Sequence, residues 1–368
     1  MPASSFIQLL QQDTFSRDDL VRMLSANSDD TPKLFARAEE VRSLHVGKAV
    51  YLRGLIEISN SCAKDCYYCG IRKSNKNTQR YTLSSEEVLS AAEFAYKNQF
   101  GSVVLQGGEI ASKSHTDWIE SLLKEIKTLS NGKLGITLSL GEQSKDTYKR
   151  WFKVGAHRYL LRIESSCPSL YAAIHPANSL HSYQKRVQAL SLLKNMGYQV
   201  GTGVMIGLPN QTVEQLADDL LFLKANDVDM IGMGPYIEHK DTPLYARKDE
   251  LKPITERYLL SLKMIACLRI LAKDVNIASV TALQAIKPEG REMGIKAGAN
   301  VIMPNITPGI WRNVYKLYEN KPTISQNDED NLSYLIERIG ITGYRVQLGF
   351  RGDSLHYQKR TGYHTAHK

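Results

Sequence analysis

Three cysteines lie within a stretch of eight residues, at a spacing that suits a metal cluster. Cys62, Cys66 and Cys69 form the pattern C-x3-C-x2-C directly after a candidate β-strand. Cysteine thiolates are the protein ligands of iron–sulfur clusters. A cubane cluster has four irons, so three cysteines leave one iron free to bind another group, as a catalytic zinc keeps an open position. We therefore predict one [4Fe–4S] cluster with three cysteine ligands.

A structural zinc ion is the alternative interpretation of these cysteines. Such a site needs a fourth Cys or His nearby, and the neighbouring histidines along the chain are the distant His45 and His115. The spacing is also not one of the usual paired zinc spacings. The remaining cysteines, Cys167 and Cys267, stand far apart, and an odd total of five argues against a disulfide framework. The cluster is the favoured interpretation.

Further polar residues lie at the ends of later candidate strands. Gln106-Gly107-Gly108-Glu109 ends the second strand and Arg162-Ile163-Glu164 ends the fourth, with Arg186 in the next helix, and residues 203–212 end the fifth. Singly, each feature also has a structural interpretation, because a Gly-Gly pair is usually a turn and Glu164 with Arg186 could form a structural ion pair. Their joint order along the chain favours one shared site.

The elements that must position these residues alternate between short strands and helices. Eight β-branched or aliphatic runs are candidate strands: Val50–Ser59, Ser102–Gln106, Gly135–Leu140, Arg158–Glu164, Val200–Ile206, Asp229–Met233, Asn276–Thr281 and Asn300–Met303. Ser84, Ser144 and Thr212 open capped helical turns between them, and Gly197 closes a helix before the fifth strand. Eight repeats favour a closed barrel, so the predicted fold class is α/β, a (β/α)8 barrel of the TIM type.

Extensions flank the predicted barrel on both sides. Residues 1–48 read as an N-terminal helical extension, residues 49–320 as the barrel, and residues 321–368 as a C-terminal helical and irregular extension. The basic, polar tail from Arg351 onward is expected to be mobile or loosely docked.

Composition limits the class of protein. The chain has 368 residues, is 42% hydrophobic and carries a formal charge of +9. We expect a cytoplasmic protein, because no secretory signal and no apolar run of membrane-spanning length is visible. The positive charge would suit nucleic acid or small anions, but no aromatic residues are interleaved with the densest basic stretch, residues 72–80. We therefore predict neither a nucleic-acid nor a membrane partner.

The cysteine motif resembles that of the radical S-adenosylmethionine (SAM) enzymes, whose signature is C-x3-C-x-aromatic-C after the first strand of a barrel. Tyr68 stands in the aromatic position of this chain. The resemblance implies that SAM binds the free iron and that one electron from the cluster cleaves it to a 5′-deoxyadenosyl radical. The cofactor supplies that chemistry, and the protein supplies binding and orientation. The residues that the resemblance assigns to SAM are Tyr68, Gln106, Gly107, Gly108, Glu109, Glu164, Arg186, Met205 and Gly207.

Within this superfamily the chain resembles the [FeFe]-hydrogenase maturases of the HydE type, from the N-terminal helices to about residue 320. The strings that carry the likeness include residues 56–62, 68–72, 137–142, 158–162, 218–224, 229–235 and 299–305. The resemblance implies a role in building the di-iron subcluster of the hydrogenase, on a small iron- and cysteine-derived substrate. It implies an external one-electron reductant and contacts with other maturation proteins. The substrate cavity would be lined by Thr137, Ser139, Arg162, Met230 and Thr281, although plain barrel packing is an equal alternative for Met230 and Thr281.

The chain also departs from some members of this family. Certain members carry extra cysteines near the C-terminus for a second cluster, but residues 268–368 contain none, so we expect that cluster to be absent. The related methylornithine synthases and biotin synthases are alternative enzyme classes. Biotin synthase uses a second cluster as sulfur donor, which two remote cysteines would not hold. An RNA-binding modification protein, a candidate from a different class, would need an appended basic domain that the sequence lacks.

Overall fold

The computed structural model describes residues 5–319 and 328–362. Eleven strands occur in these ranges: β1 (Ala49–Ser59), β2 (Ser102–Gly107), β3 (Gly135–Ser139), β4 (Arg158–Leu160), β5 (Gln199–Thr202), β6 (Met205–Ile206), β7 (Met230–Ile231), β8 (Gly234–Pro235), β9 (Asn276–Ser279), β10 (Val301–Ile302) and β11 (Arg345–Val346).

Eight of the strands close into a parallel barrel. The order is β1-β2-β3-β4-β5-β7-β9-β10, and β10 returns to β1 with Tyr51 opposite Val301. All the pairings are parallel, which confirms the predicted α/β barrel. Beyond the barrel, β6 pairs with β8, and β11 from the C-terminal extension pairs with the start of β1.

Helices surround the barrel: α1 (Phe6–Leu10), α2 (Arg17–Leu24), α3 (Thr31–His45), α4 (Ser85–Lys97), α5 (Lys113–Leu129), α6 (Lys145–Lys153), α7 (Pro168–Ala173), α8 (Tyr183–Asn195), α9 (Val213–Ala225), α10 (Ile254–Leu271), α11 (Thr281–Ile286), α12 (Gly290–Lys296), α13 (Gly309–Arg312), α14 (Asp328–Ile341) and α15 (Leu355–Thr361). Two 3₁₀ segments, Ser179–His181 and Pro243–Glu250, lie in loops. In the ranges above, no helix has both the length and the apolar character needed to cross a membrane.

The helix starts follow the local sequence signals. Ser84 and Thr212 form complete capping boxes at α4 and α9, and the hydroxyl of Ser144 accepts from the backbone N–H of Thr147 at α6. Gly197 has φ +89° after α8, a left-handed conformation in which glycine meets no steric penalty. These short-range contacts place each helix between its strands as predicted.

The N-terminal extension packs firmly against the barrel. The buried Lys263 of α10 donates to the carbonyl oxygens of Ala26 (2.6 Å) and Leu24 (3.3 Å). The buried Arg42 of α3 donates to the carbonyl oxygen of Ile295 at 3.2 Å. Buried cations are tolerated where carbonyl oxygens satisfy them, so these contacts hold the extension in one position.

The tail beyond Arg351 is docked along the residues described, so the expectation of a loose tail is wrong for residues 351–362. Ser354 is fully buried, and Asp353 forms an ion pair with Arg158 of β4 at the N-terminal end of the barrel. His356 lies between Asp227 (2.6 Å) and Asp274 (3.2 Å), and these contacts raise the pKa of its ring against the effect of burial. Residues 363–368 and the predicted limit near residue 320 lie outside the described ranges.

Candidate functional site

A large cavity opens at the C-terminal ends of the barrel strands, where barrel enzymes place their active sites. It holds about 1690 Å³ of space including its mouth. Most of the residues that the sequence assigned to a site line it together: Cys62, Cys66, Tyr68, Cys69, Gln106, Gly107, Gly108, Glu109, Ser139, Arg162, Glu164, Arg186, Met205 and Thr281. Residues separated by more than 200 positions therefore meet in one space.

The loop that carries the three cysteines is held by backbone contacts to the end of β2. The N–H of Ala63 donates to the carbonyl oxygen of Glu109 at 2.8 Å, and the N–H of Glu109 donates to Sγ of Cys62 at 3.3 Å. Gly108 makes this approach feasible, because a Cβ there would lie 2.1 Å from the carbonyl oxygen of Ser61. The Gly-Gly pair thus brings β2 against the cysteine loop.

The thiols suit a metal cluster that replaces their protons. Burial raises the pKa of Cys62, raises that of Cys66 to about 12 and raises that of Cys69 well above its usual value. Metal binding must then release protons, since thiolates are the ligands. Among the described residues no three Cys, His, Asp or Glu side chains converge tightly enough for a single metal ion. A cubane presents different irons to its ligands, so three thiols facing one cavity fit it without that convergence.

A neutral histidine supports the aromatic residue of the motif. Burial lowers the pKa of His175 to about 3. Its Nδ1 lies 2.8 Å from the carbonyl oxygen of Tyr171, an acceptor, so Nδ1 carries the proton. Nε2 is then the acceptor that faces the hydroxyl of Tyr68 at 3.4 Å. His175, which sequence reasoning missed, therefore fixes the orientation of the Tyr68 side chain.

Four charged side chains alternate beside the cysteine loop. Lys64 lies 3.0 Å from Glu109 and 3.3 Å from Glu142, and Arg186 lies 2.6 Å from Glu142 and 3.5 Å from Glu109. Burial alone would lower the pKa of Arg186, but the two carboxylates raise it well above its usual value. Burial raises the pKa of Glu109, and Arg186 and Lys64 only partly offset this.

This cluster fits the amino-acid end of a SAM molecule. A buried carboxylate, Glu109, can accept from an ammonium group, and a buried guanidinium, Arg186, can pair with a carboxylate. Gly141 (φ +72°) leaves the room that Glu109 needs, because a Cβ there would lie 2.2 Å from its Oε2. The side chains present thus match both charges of such a ligand.

Arg162 has its donors largely engaged within the protein. Nε lies 3.0 Å from Oε1 of Glu164, Nη1 donates to the carbonyl oxygen of Gly232 (2.6 Å) and Nη2 to that of Val204 (3.0 Å). Burial alone would lower the pKa of Arg162, and the Glu164 carboxylate raises it overall. The guanidinium is therefore a fixed positive charge at the wall of the cavity that Ser139 and Thr281 also line.

Three residues that the sequence assigned to the site do not line the large cavity. Thr137 and Met230 line a separate, smaller cavity of about 350 Å³ deeper in the barrel, where Nη1 of Arg53 contacts Sδ of Met230 at 2.9 Å. Leu160, Gly232 and Met303 line both cavities and so form the floor between them. Gly207 lies behind the wall, where a Cβ would lie 2.4 Å from Cγ of Arg257.

Other residues at the cavity or ion-paired with its lining gave only weak sequence signals. Lys64 stands inside the cysteine motif, and Glu142 follows the end of β3 in the manner of the other site residues. Their positions could have marked them as candidates. Tyr315 and Tyr318 also line the cavity, but they come from the loop after α13, where the sequence offers no pattern.

Comparisons with known proteins agree with this geometry. The family model of the Radical SAM superfamily matches residues 56–223. The [FeFe] hydrogenase maturase subunit HydE of Thermotoga maritima is 40% identical over 344 residues, which are 93% of this chain and 95% of that protein. A biotin synthase of Macrococcus caseolyticus is 26% identical over 337 residues, 90% of this chain and 94% of that protein.

Among solved structures, methylornithine synthase (PylB) has a TM-score of 0.79 at 22% identity and covers 94% of this chain and 98% of its own. That likeness concerns the fold alone. Because the identity to HydE extends over nearly the whole of both chains, this chain belongs to the HydE family within the radical SAM superfamily.

Proposed function

We propose that this protein is a radical SAM enzyme of [FeFe]-hydrogenase maturation that acts on a small iron- and cysteine-derived substrate. The observation that carries the proposal is the shared cavity, in which three thiols, the Glu109–Arg186 pair and the Arg162 cation face one space. When bound, a [4Fe–4S] cluster and SAM supply a 5′-deoxyadenosyl radical. The chain provides Cys62, Cys66 and Cys69 as the three ligands of a single cluster.

The residues of this chain would bind and orient SAM. Glu109 would accept from its ammonium group, and Arg186 would pair with its carboxylate. Tyr68, held by His175, and Met205 would contact the nucleoside, while Gln106, Gly107 and Gly108 shape the wall beside the cysteine loop. Gly207 would act indirectly, through the backbone conformation that places the strand end.

The substrate would bind deeper, between the SAM site and the cavity floor. Arg162 contributes a fixed positive charge toward an anionic ligand, and Ser139 and Thr281 contribute hydroxyl groups. Thr137 and Met230 would act from below the floor, by supporting Leu160 and Gly232. The floor closes this part of the cavity, and exclusion of water protects a reactive carbon radical from side reactions.

Replacing Arg186 tests the SAM site. Arg186→Ala should weaken SAM binding by about 1–3 kcal/mol, because a charge-assisted pair to the carboxylate is lost. Arg186→Lys should recover part of the affinity, since it keeps the charge without the planar fork. Equilibrium dialysis on reconstituted protein measures both. Lys185→Ala, at the exposed neighbouring position, is the control. Unchanged affinity in Arg186→Ala with an intact cluster would assign this residue a structural role.

Product analysis tests the reaction. The reduced protein, incubated with SAM and a small thiol-bearing or thiazolidine-type amino acid, should form an adduct in which the 5′-deoxyadenosyl carbon is bonded to the substrate sulfur. Mass spectrometry detects that adduct. Methylornithine synthase activity instead predicts rearrangement of lysine without an adduct, and that result would replace the substrate while keeping the radical class.

A biotin synthase and an RNA-binding protein have less support. Cys267 is fully buried in α10, and Cys167 lies in the loop after β4, so in the described residues they form no second cluster site with each other as a biotin synthase would need. Salt-sensitive retention of RNA would favour a nucleic-acid partner, and we expect retention to be weak. A one-electron donor and other maturation proteins remain the expected partners.

A further inference from the structure

Five surface segments meet around the cysteine loop on the outside of the barrel. The carbonyl oxygen of Lys64 accepts from the N–H of Lys73 at 2.8 Å, and the N–H of Ala63 donates to the carbonyl oxygen of Glu109 at 2.8 Å. Nε2 of Gln143 donates to the carbonyl oxygen of Ile110 at 3.0 Å, which joins the loop after β3. Residues 178–185 join through Lys64, whose ammonium donates to the carbonyl oxygen of Leu180. We call these segments, residues 61–65, 72–74, 109–113, 142–146 and 178–185, the cluster face.

The exposed charges of the cluster face are mainly positive. Lys73, Lys145 and Lys185 are exposed, as is Lys113, which is paired with Asp117, and the one exposed acid of the face is Asp146. The other acids of the neighbourhood, Asp65 and Asp117, are paired with Arg72 (2.8 Å) and with Lys113 (2.7 Å). The carboxylates of Glu109 and Glu142 are both paired with Lys64 and Arg186. An approaching molecule therefore meets a net positive surface.

Three of these lysines stand where a helix disfavours positive charge. Lys113 and Lys145 are the first residues of α5 and α6, and Lys185 lies in the first turn of α8. The start of a helix carries a partial positive charge, so each lysine there is unfavourable by about 0.3–1 kcal/mol. The first turns of α5 and α8 hold no acidic residue and that of α6 holds Asp146, whereas the first turns of α4 and α9 hold acidic residues and no lysine or arginine. The i,i+4 ion pair with Asp117 offsets this cost for Lys113, so helix stability leaves the placement of Lys145 and Lys185 unexplained.

The cluster face also carries exposed apolar residues, which we call its apolar centre. Leu180 is 51% exposed, and Ala63 and Ala111 are exposed on the adjoining segments. Ala63 directly follows the cluster ligand Cys62, so this centre is the outer surface of the loop that would hold the cluster. An apolar centre with a charged rim is the usual anatomy of a transient protein interface. The surface is therefore built for a protein partner at the outer side of the cluster loop.

We propose that the cluster face docks an acidic one-electron carrier protein, which delivers its electron to the cluster across the loop at residues 62–66. The inference rests on the proposed function, since it requires a cluster that accepts an electron. Charge complementarity identifies the partner: the lysines raise the association rate of a negatively charged protein, and Leu180 contacts it after the encounter. One electron passes from the reduced carrier to the oxidised cluster, and no bond is made or broken.

Charge reversal on the cluster face tests the proposal. The reconstituted holoenzyme K73E/K145E/K185E is mixed anaerobically with a reduced acidic flavodoxin, and cluster reduction is followed by stopped-flow absorbance. Glutamate in the first turns of α6 and α8 suits those helices, so the variant should fold. The second-order rate should fall about 10- to 100-fold at low salt, and the difference should shrink as salt is added. Photoreduction by deazaflavin, which needs no docking, should be unchanged.

A second triple variant makes the same charge change at the opposite end of the barrel. Lys48, Lys133 and Arg345 are exposed at the N-terminal ends of the strands, so K48E/K133E/R345E should lose much less of the rate. Equal losses in both variants, or no loss in either, would overturn the docking site while the cluster remains reducible. Salt-sensitive RNA binding by the same lysines with an unchanged flavodoxin rate would also overturn it. A cluster that deazaflavin cannot reduce in the unmodified protein would contradict the proposed function itself.

Discussion

Replacing Cys62, Cys66 or Cys69 with alanine should abolish the iron–sulfur cluster completely, whereas Cys267→Ala should leave it intact. The three thiols line one cavity, and each would hold a different iron of the cubane. Losing one cysteine would leave two of the four irons without a protein ligand, and two remaining cysteines would not retain the cluster. Cys267 is fully buried in α10 and does not line this cavity, so its replacement should not affect the cluster.

Iron and sulfide analysis after anaerobic reconstitution measures this result. The unmodified chain should hold about four irons, and each of the three variants almost none. Cys167→Ala is a further control, because this half-buried thiol lies at the start of α7 and accepts from Nε2 of Gln215 (3.4 Å). About eight irons per chain, or a cluster that survives the loss of one of the three cysteines, would refute a single site with three cysteine ligands.

Asp353→Asn should lower the free energy of unfolding by about 3–5 kcal/mol, because it leaves buried positive charge without its counter-ion. Oδ1 of Asp353 lies 2.5 Å from Nη2 and 3.0 Å from Nε of Arg158, and it accepts from Nε2 of Gln199 at 2.9 Å. Arg53 is buried nearby, and burial together with Arg158 lowers the pKa of Arg53 to about 9. One carboxylate thus serves two buried guanidinium groups.

The pH dependence follows from the same pair. Burial alone would raise the pKa of Asp353, but Arg158 brings it below the usual value. Its contribution to stability is therefore present above the unfolded pKa of about 3.9 and is lost as the pH falls through the lowered folded value. Urea unfolding at neutral pH measures the free energy of unfolding that Asp353→Asn loses.

The control variant Lys359→Ala removes an exposed ion pair to Asp274 and should lower the free energy of unfolding by less than about 1 kcal/mol. Similar costs for the two variants would show that the Arg158 pair is not an important anchor.

The sequence by itself determined the features that depend on neighbours along the chain. The spacing of Cys62, Cys66 and Cys69 defines a loop that can present three sulfurs, whatever surrounds it. The capping boxes at Ser84 and Thr212 and the left-handed Gly197 need only three to five consecutive residues. Eight candidate strands that alternate with such helices led to the barrel, and the order of polar residues at the strand ends led to the site.

Only the tertiary structure decided how deep each residue lies in the barrel and which charged side chains pair with each other. Thr137 and Ser139 point to the same side of β3, because side chains alternate along a strand. The family resemblance placed both in one cavity, yet two residues along a strand span about 7 Å. The floor, to which Leu160 and Met303 belong, lies between them. The height of that floor depends on how eight strands are staggered, which no single strand encodes.

Ion pairs between residues that are distant along the chain were likewise not predictable from the sequence. Lys64 had no role assigned from the sequence, but the fold places its ammonium between Glu109 and Glu142. The tail read as loose because it is basic and polar, yet Asp353 completes a buried charge cluster with Arg158, 195 residues earlier. Polarity predicts exposure only when no opposite charge is buried nearby, and the location of such a charge is set by the closed barrel.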